Sequence, residues 1–311
     1  MNTPLYRSLE GDIHCIDALY GQADIACCYL LGDGDEWMFI ETGTSRSLAN
    51  ITATLQDLSI DPEQIRYVVP THVHLDHAGG AGALMAMCPN ATLLIHPRGA
   101  RHMIDPGKLI ASAMQVYGEQ AFNTLYDRIV PVPRDRVSTL EDGDTIALGG
   151  RKLRVAHTRG HAEHHFCLFD EVTAGWFSGD MYGVSYPSQR FSSGDFVMPA
   201  TTPTQFEPEL YKASVQRLVA AQPQRFYLTH FGELVFAERQ AEQLLRQLDG
   251  YAQLAADAGV ASTALTSAVT DITRRELATL LPDETASAWV ERLAMDIQLN
   301  VQGIAWYRQT H

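Results

Sequence analysis

The stretch Thr71-His72-Val73-His74-Leu75-Asp76-His77-Ala78-Gly79-Gly80 constrains this chain more than any other part of it. Three imidazoles and one carboxylate fall within six residues, between an apolar run (Ile65 to Val69) that reads as a buried strand and a small-residue run (Gly79 to Met87) that reads as a helix. A lone histidine is usually a packing residue. Four ligand-type side chains on one strand-to-helix turn serve no packing purpose, and imidazole with carboxylate suits Zn²⁺, Fe or Mn²⁺. His72 and His74, two apart on extended chain, point the same way. Asp76 and His77, at the helix start, can face a second centre close by.

Around this turn the pattern alternates strand and helix, the sign of an α/β layer. Ile13 to Ile16, Ile25 to Leu31 and Trp37 to Ile40 read as strands, with Gly32-Asp33-Gly34-Asp35 as a hairpin turn between the last two. A helix follows from Thr44 or Ser45 to about Leu58, and Thr92 to Ile95 is a further strand. The segment 97–130 reads as an interrupted helical insertion over the strand ends. Strands resume at Asp144 to Leu148, Lys152 to His157, His165 to Phe169 and Gly175 to Ser178. A long loop, Phe191 to Pro208, precedes a helix to Ala221 and a last strand, Arg225 to Thr229. Beyond it only helical stripes survive: Leu244 to Leu254, and one running from Trp289 to Ala305. Domain boundaries are therefore set at 1–235 for a catalytic domain and 236–311 for a helical C-terminal extension.

Composition excludes several classes. With 46% hydrophobic and 19% charged residues, the 311-residue chain can bury a sizeable core. A net charge of −14 disfavours nucleic acid as a partner, because phosphate contacts need clustered cations. No apolar run suits a membrane span, and Met1 to Asp12 lacks the apolar segment of a signal peptide, so a cytoplasmic protein is expected. The five cysteines (Cys15, Cys27, Cys28, Cys88 and Cys167) show no CxxC spacing and are read as reduced; Cys27 and Cys28, adjacent on a strand, should face opposite ways.

Three more ligand-type residues each follow a short strand: His161 in Arg159-Gly160-His161, Asp180 in Ser178-Gly179-Asp180, and His230 in Thr229-His230. Taken with the first turn, this ordered set resembles the metallo-β-lactamase superfamily in its dinuclear hydrolase branch, over about residues 12–235. The resemblance implies an α/β fold, an αββα sandwich with its metals at one edge. It implies two divalent metal ions, with Zn²⁺ the first expectation. His72, His74 and His161 would hold the first metal, and Asp76, His77 and His230 the second. Asp180 would bridge them, and Asp76 would also orient a bridging hydroxide. Proton donors to the leaving group would be His164, Tyr182 or a metal-bound water.

The chain departs from the family pattern in two places. Glu41-Thr42-Gly43 stands where the family often has Asp-Thr-Gly, so Glu41 can still hold a ligand histidine or the turn. Around the third histidine, Arg159 and His164 replace Pro and Gly, while His165 keeps its position. The reaction implied is cleavage of a carboxylic ester or lactone on a small-molecule substrate. Tyr186, Phe191, Phe196 and Met198 would offer an apolar acyl pocket. The alternatives are a glyoxalase II-like thioester hydrolase, a phosphoester hydrolase and, in another class, a di-iron redox protein. A homodimer is the oligomer considered, with Trp289 and Trp306 as core or dimer contacts and Asp296 or Asn300 as pocket-lining residues of the last helix.

Overall fold

The computed structural model describes residues 5–257 and 261–311. Two sheets lie face to face. The first contains β1 (Tyr6–Leu9), β2 (Ile13–Asp17), β3 (Cys27–Asp33), β4 (Glu36–Ile40), β5 (Ile65–Val69), β6 (Thr92–Ile95) and β7 (Val137–Thr139), paired in that order. Its first four strands are antiparallel hairpins, and β4 to β7 run parallel. Between these strands lie α1 (Leu48–Asp57), α2 (Leu75–Ala78), α3 (Ala81–Met87), α4 (Pro97–Ile104), α5 (Gly107–Tyr117) and α6 (Glu119–Leu125).

The second sheet contains β8 (Thr145–Leu148), β9 (Arg151–Thr158), β10 (His165–Asp170) and β11 (Gly175–Gly179). A two-stranded hairpin, β12 (Arg190–Phe191) and β13 (Gly194–Asp195), interrupts the long loop before α7 (Pro208–Ala220). Then β14 (Arg225–Leu228) joins β11 in parallel, and β15 (Gly232–Val235) closes the edge. The chain ends in four helices, α8 (Glu238–Ala256), α9 (Ser262–Leu277), α10 (Asp283–Arg292) and α11 (Ala294–Thr310).

Three apolar clusters show why the layers stack. Between the sheets lie Ile13, Tyr29, Leu31, Ile40, Val69, Leu153, Phe166 and Phe177. The outer face of the first sheet packs Cys28, Leu30, Phe39 and Val68 on Ile51 and Leu55 of α1 and on Leu84 of α3. The outer face of the second packs Cys167, Trp176 and Phe226 on Tyr211 of α7, Leu244 and Tyr251 of α8, and Ile297 and Ile304 of α11. On β3, Cys27, Tyr29 and Leu31 face the inter-sheet core while Cys28 and Leu30 face the helices, the alternation a two-sided strand requires. Helix, sheet, sheet, helix is the αββα sandwich. Beside this layer, Phe122 of α6 and Tyr126 pack on Leu75, inside the histidine-rich turn.

The structure differs from the sequence reading at several elements. The stripe from Trp289 to Ala305 is two helices, not one, broken at Leu293, whose backbone leaves the helical region. Helix α9 was not foreseen, because its Ser- and Thr-rich sequence weakens the helical signal although Leu265, Val269 and Ile272 keep the spacing. Phe196 and Met198, expected in an acyl pocket, are fully buried in the cluster beneath the second sheet. Their loop packs on its own body because α7 and α8 offer it a wide apolar floor. No described helix is long and apolar enough to cross a membrane.

Candidate metal centre

The strands β5, β9, β11 and β14 all end at one edge of the sandwich, and each delivers ligand-type side chains just beyond its last residue. His72, His74, Asp76 and His77 follow β5, His161 follows β9, Asp180 follows β11 and His230 follows β14. Two glycines allow the close approach. Gly179 has φ +50°, and a Cβ there would lie 2.4 Å from Thr71 Oγ1 and 2.6 Å from His165 Nε2. Gly160, at φ +111°, leaves no room for a Cβ against the backbone of Tyr211.

These residues form two groups. In the first, His72 Nε2 lies 2.7 Å from His74 Nδ1 and 3.3 Å from His161 Nε2, and His161 Nε2 lies 3.3 Å from Asp180 Oδ2. In the second, His77 Nε2 lies 3.3 Å from Asp180 Oδ1, and His230 Nε2 lies 3.4 Å from Asp76 Oδ2 and 3.5 Å from Asp180 Oδ1. Asp180 therefore offers one oxygen to each group. Each group could hold a metal ion.

The outer atoms of the histidines explain their orientation. His161 Nδ1–H donates to the Ala200 carbonyl at 2.7 Å, and His230 Nδ1–H donates to the Ile25 carbonyl at 2.8 Å. His77 Nδ1–H donates to Glu41 Oε1 at 3.0 Å. Thr71 gives its hydroxyl proton to Glu41 at 2.5 Å, so its oxygen accepts from His72 Nδ1–H at 3.1 Å. Each of these four rings thus turns its Nε2 inward, as metal-ligating imidazoles do. His77 Nε2 and Asp180 Oδ1 are buried without a hydrogen-bond partner among the described residues. Orphaned acceptors facing one another fit a cation between them.

Electrostatics separates the two groups. Burial, then the neighbouring imidazoles, pushes His72 and His161 below the ordinary histidine value and His74 down to about 3. Burial acts the same way on His77 and His230, but the Asp180 and Asp76 carboxylates outweigh it; His77 is raised and His230 reaches about 9. Burial likewise opposes ionisation of Asp76 and Asp180, yet His77 and His230 hold both carboxyls below their usual range. A proton is thus expelled from the first group and shared in the second, as in any cation-poor cluster of ligands.

Glu41 is the hub behind the ligands. It is 1% exposed, has φ +65°, and accepts from Thr71, His77 and Thr229. A non-glycine residue in the left-handed region costs energy that a site must recover elsewhere. The role of Thr229 was not foreseen. The signal was available: a threonine directly precedes both His72 and His230. His165 Nε2 accepts the Asp180 N–H at 3.3 Å, and its Nδ1–H donates to Thr158 at 2.7 Å, so it positions Asp180 from behind.

The two proposed proton donors fall in different places. His164 is buried beside the first group, its ring centre 5.6 Å from that of His74, and its Nδ1 accepts the Val73 N–H at 3.4 Å. Tyr182 lies elsewhere. It is fully buried in the helix-side core and stacks on Phe226 at 3.5 Å, because the chain turns beneath the sheet after Asp180. Tyr186, further along the same loop, bonds Asp296 of α11 at 2.9 Å, and the Asp180 and Asp76 charges act on its hydroxyl. Arg98 pairs with Glu163 on the surface.

Known proteins agree with this architecture. A metallo-beta-lactamase fold-containing protein from Sulfurisphaera tokodaii is 26% identical over 229 residues, 72% of this chain and 79% of that protein. An acyl-coenzyme A thioesterase from Homo sapiens is 28% identical over 189 residues, 57% of this chain and 65% of that protein. The chain spans 42% or less of the length of four other curated relatives. In three dimensions it resembles the crystal structure of an archaeal metallo-beta-lactamase superfamily protein from Sulfolobus tokodaii, with a TM-score of 0.64 at 22% identity, covering 94% of this chain and 98% of that one. The family model described as the metallo-beta-lactamase superfamily matches residues 22–230, more than half of the sequence, and the chain belongs to that superfamily.

Proposed function

We propose that the chain is a metal-dependent hydrolase that cleaves a carboxylic ester or lactone of a small molecule at a dinuclear centre. The observation that carries this reading is the division of Asp180: Oδ2 faces His161, and Oδ1 faces His77 and His230. His72, His74 and His161 would hold one ion and Asp76, His77 and His230 the other, with Asp180 between them. The donor set of five imidazoles and two carboxylates suits Zn²⁺ first, and Fe or Mn²⁺ next. Such ions supply, when bound, a hydroxide nucleophile near neutral pH and a polarised acyl oxygen.

The chain's own groups do the rest. His74 and Asp76 are half-buried whereas the other five lie deeper, so substrate would meet the site at these two. Asp76 would accept a hydrogen bond from the attacking water and fix its direction. With Nδ1 bound to the Val73 N–H, His164 carries its proton on Nε2. Burial, then His74, pushes its basicity down to about 2, so it works as a neutral donor rather than as an imidazolium acid. It would hold the acyl oxygen in place.

Thioesters are the second reading. The human acyl-coenzyme A thioesterase, similar over 57% of this chain, favours it. Zinc-loaded protein should release acid from a medium-chain lactone in a pH-stat, and the D180N variant should not. Release of thiol from acyl-coenzyme A with no action on lactones would move the assignment to thioesters. Turnover of neither by metal-replete protein would overturn the hydrolase reading.

A further inference from the structure

Resting on the hydrolase reading above, we propose that the substrate, ester or thioester, carries phosphate remote from the scissile bond, and that Arg98 and Arg101 of α4 bind it at the rim of the site. Helix α4 lies directly on the histidine-rich turn. A Cβ at Gly99 would stand 2.9 Å from Cγ1 of Val73, the residue between His72 and His74, so a glycine is what lets the helix come this close. One face of α4 then meets the loop that follows His161. Arg98 Nη1 pairs with Glu163, and the ring of His102, one turn further along α4, lies 6.3 Å from that of His164. The His164 ring lies in turn 5.6 Å from that of His74, one of the two ligand-type residues that substrate would meet. Arg101 Nε donates to His102 Nε2 at 3.3 Å. Both guanidiniums thus stand beside the immediate neighbours of His164.

Charge sets this face apart from an ordinary solvated one. A solvated helix face mixes both signs, whereas α4 carries two arginines and a histidine and no carboxylate. The whole chain has a net charge of −14, which repels an anionic substrate, so cations at the rim offset that field where the substrate enters. Glu163 does not cancel them. Its Oε1 accepts from Arg159 Nε at 3.0 Å, so its single charge is shared between Arg159 and Arg98. Arg98 commits only Nη1 to it and keeps Nε and Nη2 for a second anion. Arg101 is exposed and pairs with no carboxylate among the described residues. A phosphate monoester carries up to two charges and three acceptor oxygens, which two guanidiniums one turn apart match better than a lone carboxylate would. The contact lies away from the reacting carbonyl. It therefore holds substrate and transition state alike, and lowers KM without changing kcat.

The test uses metal-replete enzyme with two thioesters, hexanoyl-coenzyme A and hexanoyl-N-acetylcysteamine, which share the scissile bond and differ in the phosphates. R98Q/R101Q should raise KM for the coenzyme A thioester about tenfold, the size of two exposed charge contacts, with kcat unchanged and the neutral thioester unaffected. R98K/R101K should recover part of the loss, because lysine keeps the charge without the fork. Added salt should weaken the parent's preference for the coenzyme A thioester more than that of R98Q/R101Q. Equal losses with both thioesters, or an unchanged KM for the coenzyme A thioester, would overturn the proposal. Calorimetry supplies a readout independent of turnover. The parent should bind coenzyme A several-fold more tightly than pantetheine, which has the same thiol, and R98Q/R101Q should erase most of that difference. A parent without that preference, or a preference unchanged in the variant, would also overturn the proposal. A parent inert toward thioesters and lactones alike would sink the hydrolase reading, and the calorimetric comparison would still judge the two arginines.

Discussion

The two oxygens of Asp180 face different histidines, and neither contact survives unchanged if one oxygen becomes an amide. The D180N variant is expected to lose at least about 100-fold in kcat/KM and to retain fewer than two ions per chain, measured by pH-stat and elemental analysis. Two bound ions at parental activity would end the bridging assignment. Glu41 is a different kind of residue, since it receives Thr71, His77 and Thr229 at once. In E41Q an amide meets four donor groups, two of them from Thr71, with one acceptor oxygen, so metal affinity should fall about 10–100-fold in a chelator competition. Unchanged affinity would show that the backbone alone holds the turn. Both residues were visible in the sequence, Asp180 by its Ser-Gly-Asp turn and Glu41 by its place before Thr-Gly. The Tyr186–Asp296 pair is not legible in the sequence, because the two lie 110 positions apart and no spacing rule pairs a loop with a distant helix. Tyr182 is near Asp180 along the chain, but the turn after Asp180 carries its ring into the helix-side core.

Strands β9 and β10 are clamped at the end far from the histidines. Arg151 donates through Nε and Nη2 to both oxygens of Asp170, at 2.8 and 2.7 Å, and through Nη1 to the Gly11 carbonyl at 2.6 Å. The pair is nearly inaccessible, so removing one partner leaves a buried charge. R151M should cost about 3–5 kcal/mol in denaturant unfolding. Burial opposes ionisation of Asp170, but Arg151 and Thr173 hold its carboxyl below its usual value. A depressed carboxyl adds stability that is complete above its unfolded value and lost as pH falls through its folded one. Acidification below about pH 4 should therefore narrow the stability gap between the parent and D170N, both metal-free. A gap constant down to pH 3 would contradict this. At this scale the strands were legible because period-two patterning and Gly-Asp punctuation are local signals. Helix α9, and the break at Leu293, depend on what the helices pack against, and the sequence carries little of that.

The whole molecule is two sheets joined at one edge by side chains. Four of the seven ligand-type residues follow a strand of the first sheet, and three follow strands of the second. Ions bound there would stabilise the folded chain by mass action, about 4 kcal/mol at a thousandfold excess over Kd. Chelation should accordingly lower Tm on the order of 10 °C, restored by added zinc. An equal Tm with and without chelator would mean that the sheets need no such link. The five cysteines are all unpaired, so no covalent bridge ties the sheets. Ligands from His72 to His230 would instead close a loop of roughly 150 residues, the span over which a cross-link most restricts an unfolded chain. Such a staple is reversible and holds no bond that disulfide reduction would open. The persistence of the fold would then follow the supply of an ion and be indifferent to the redox state around it.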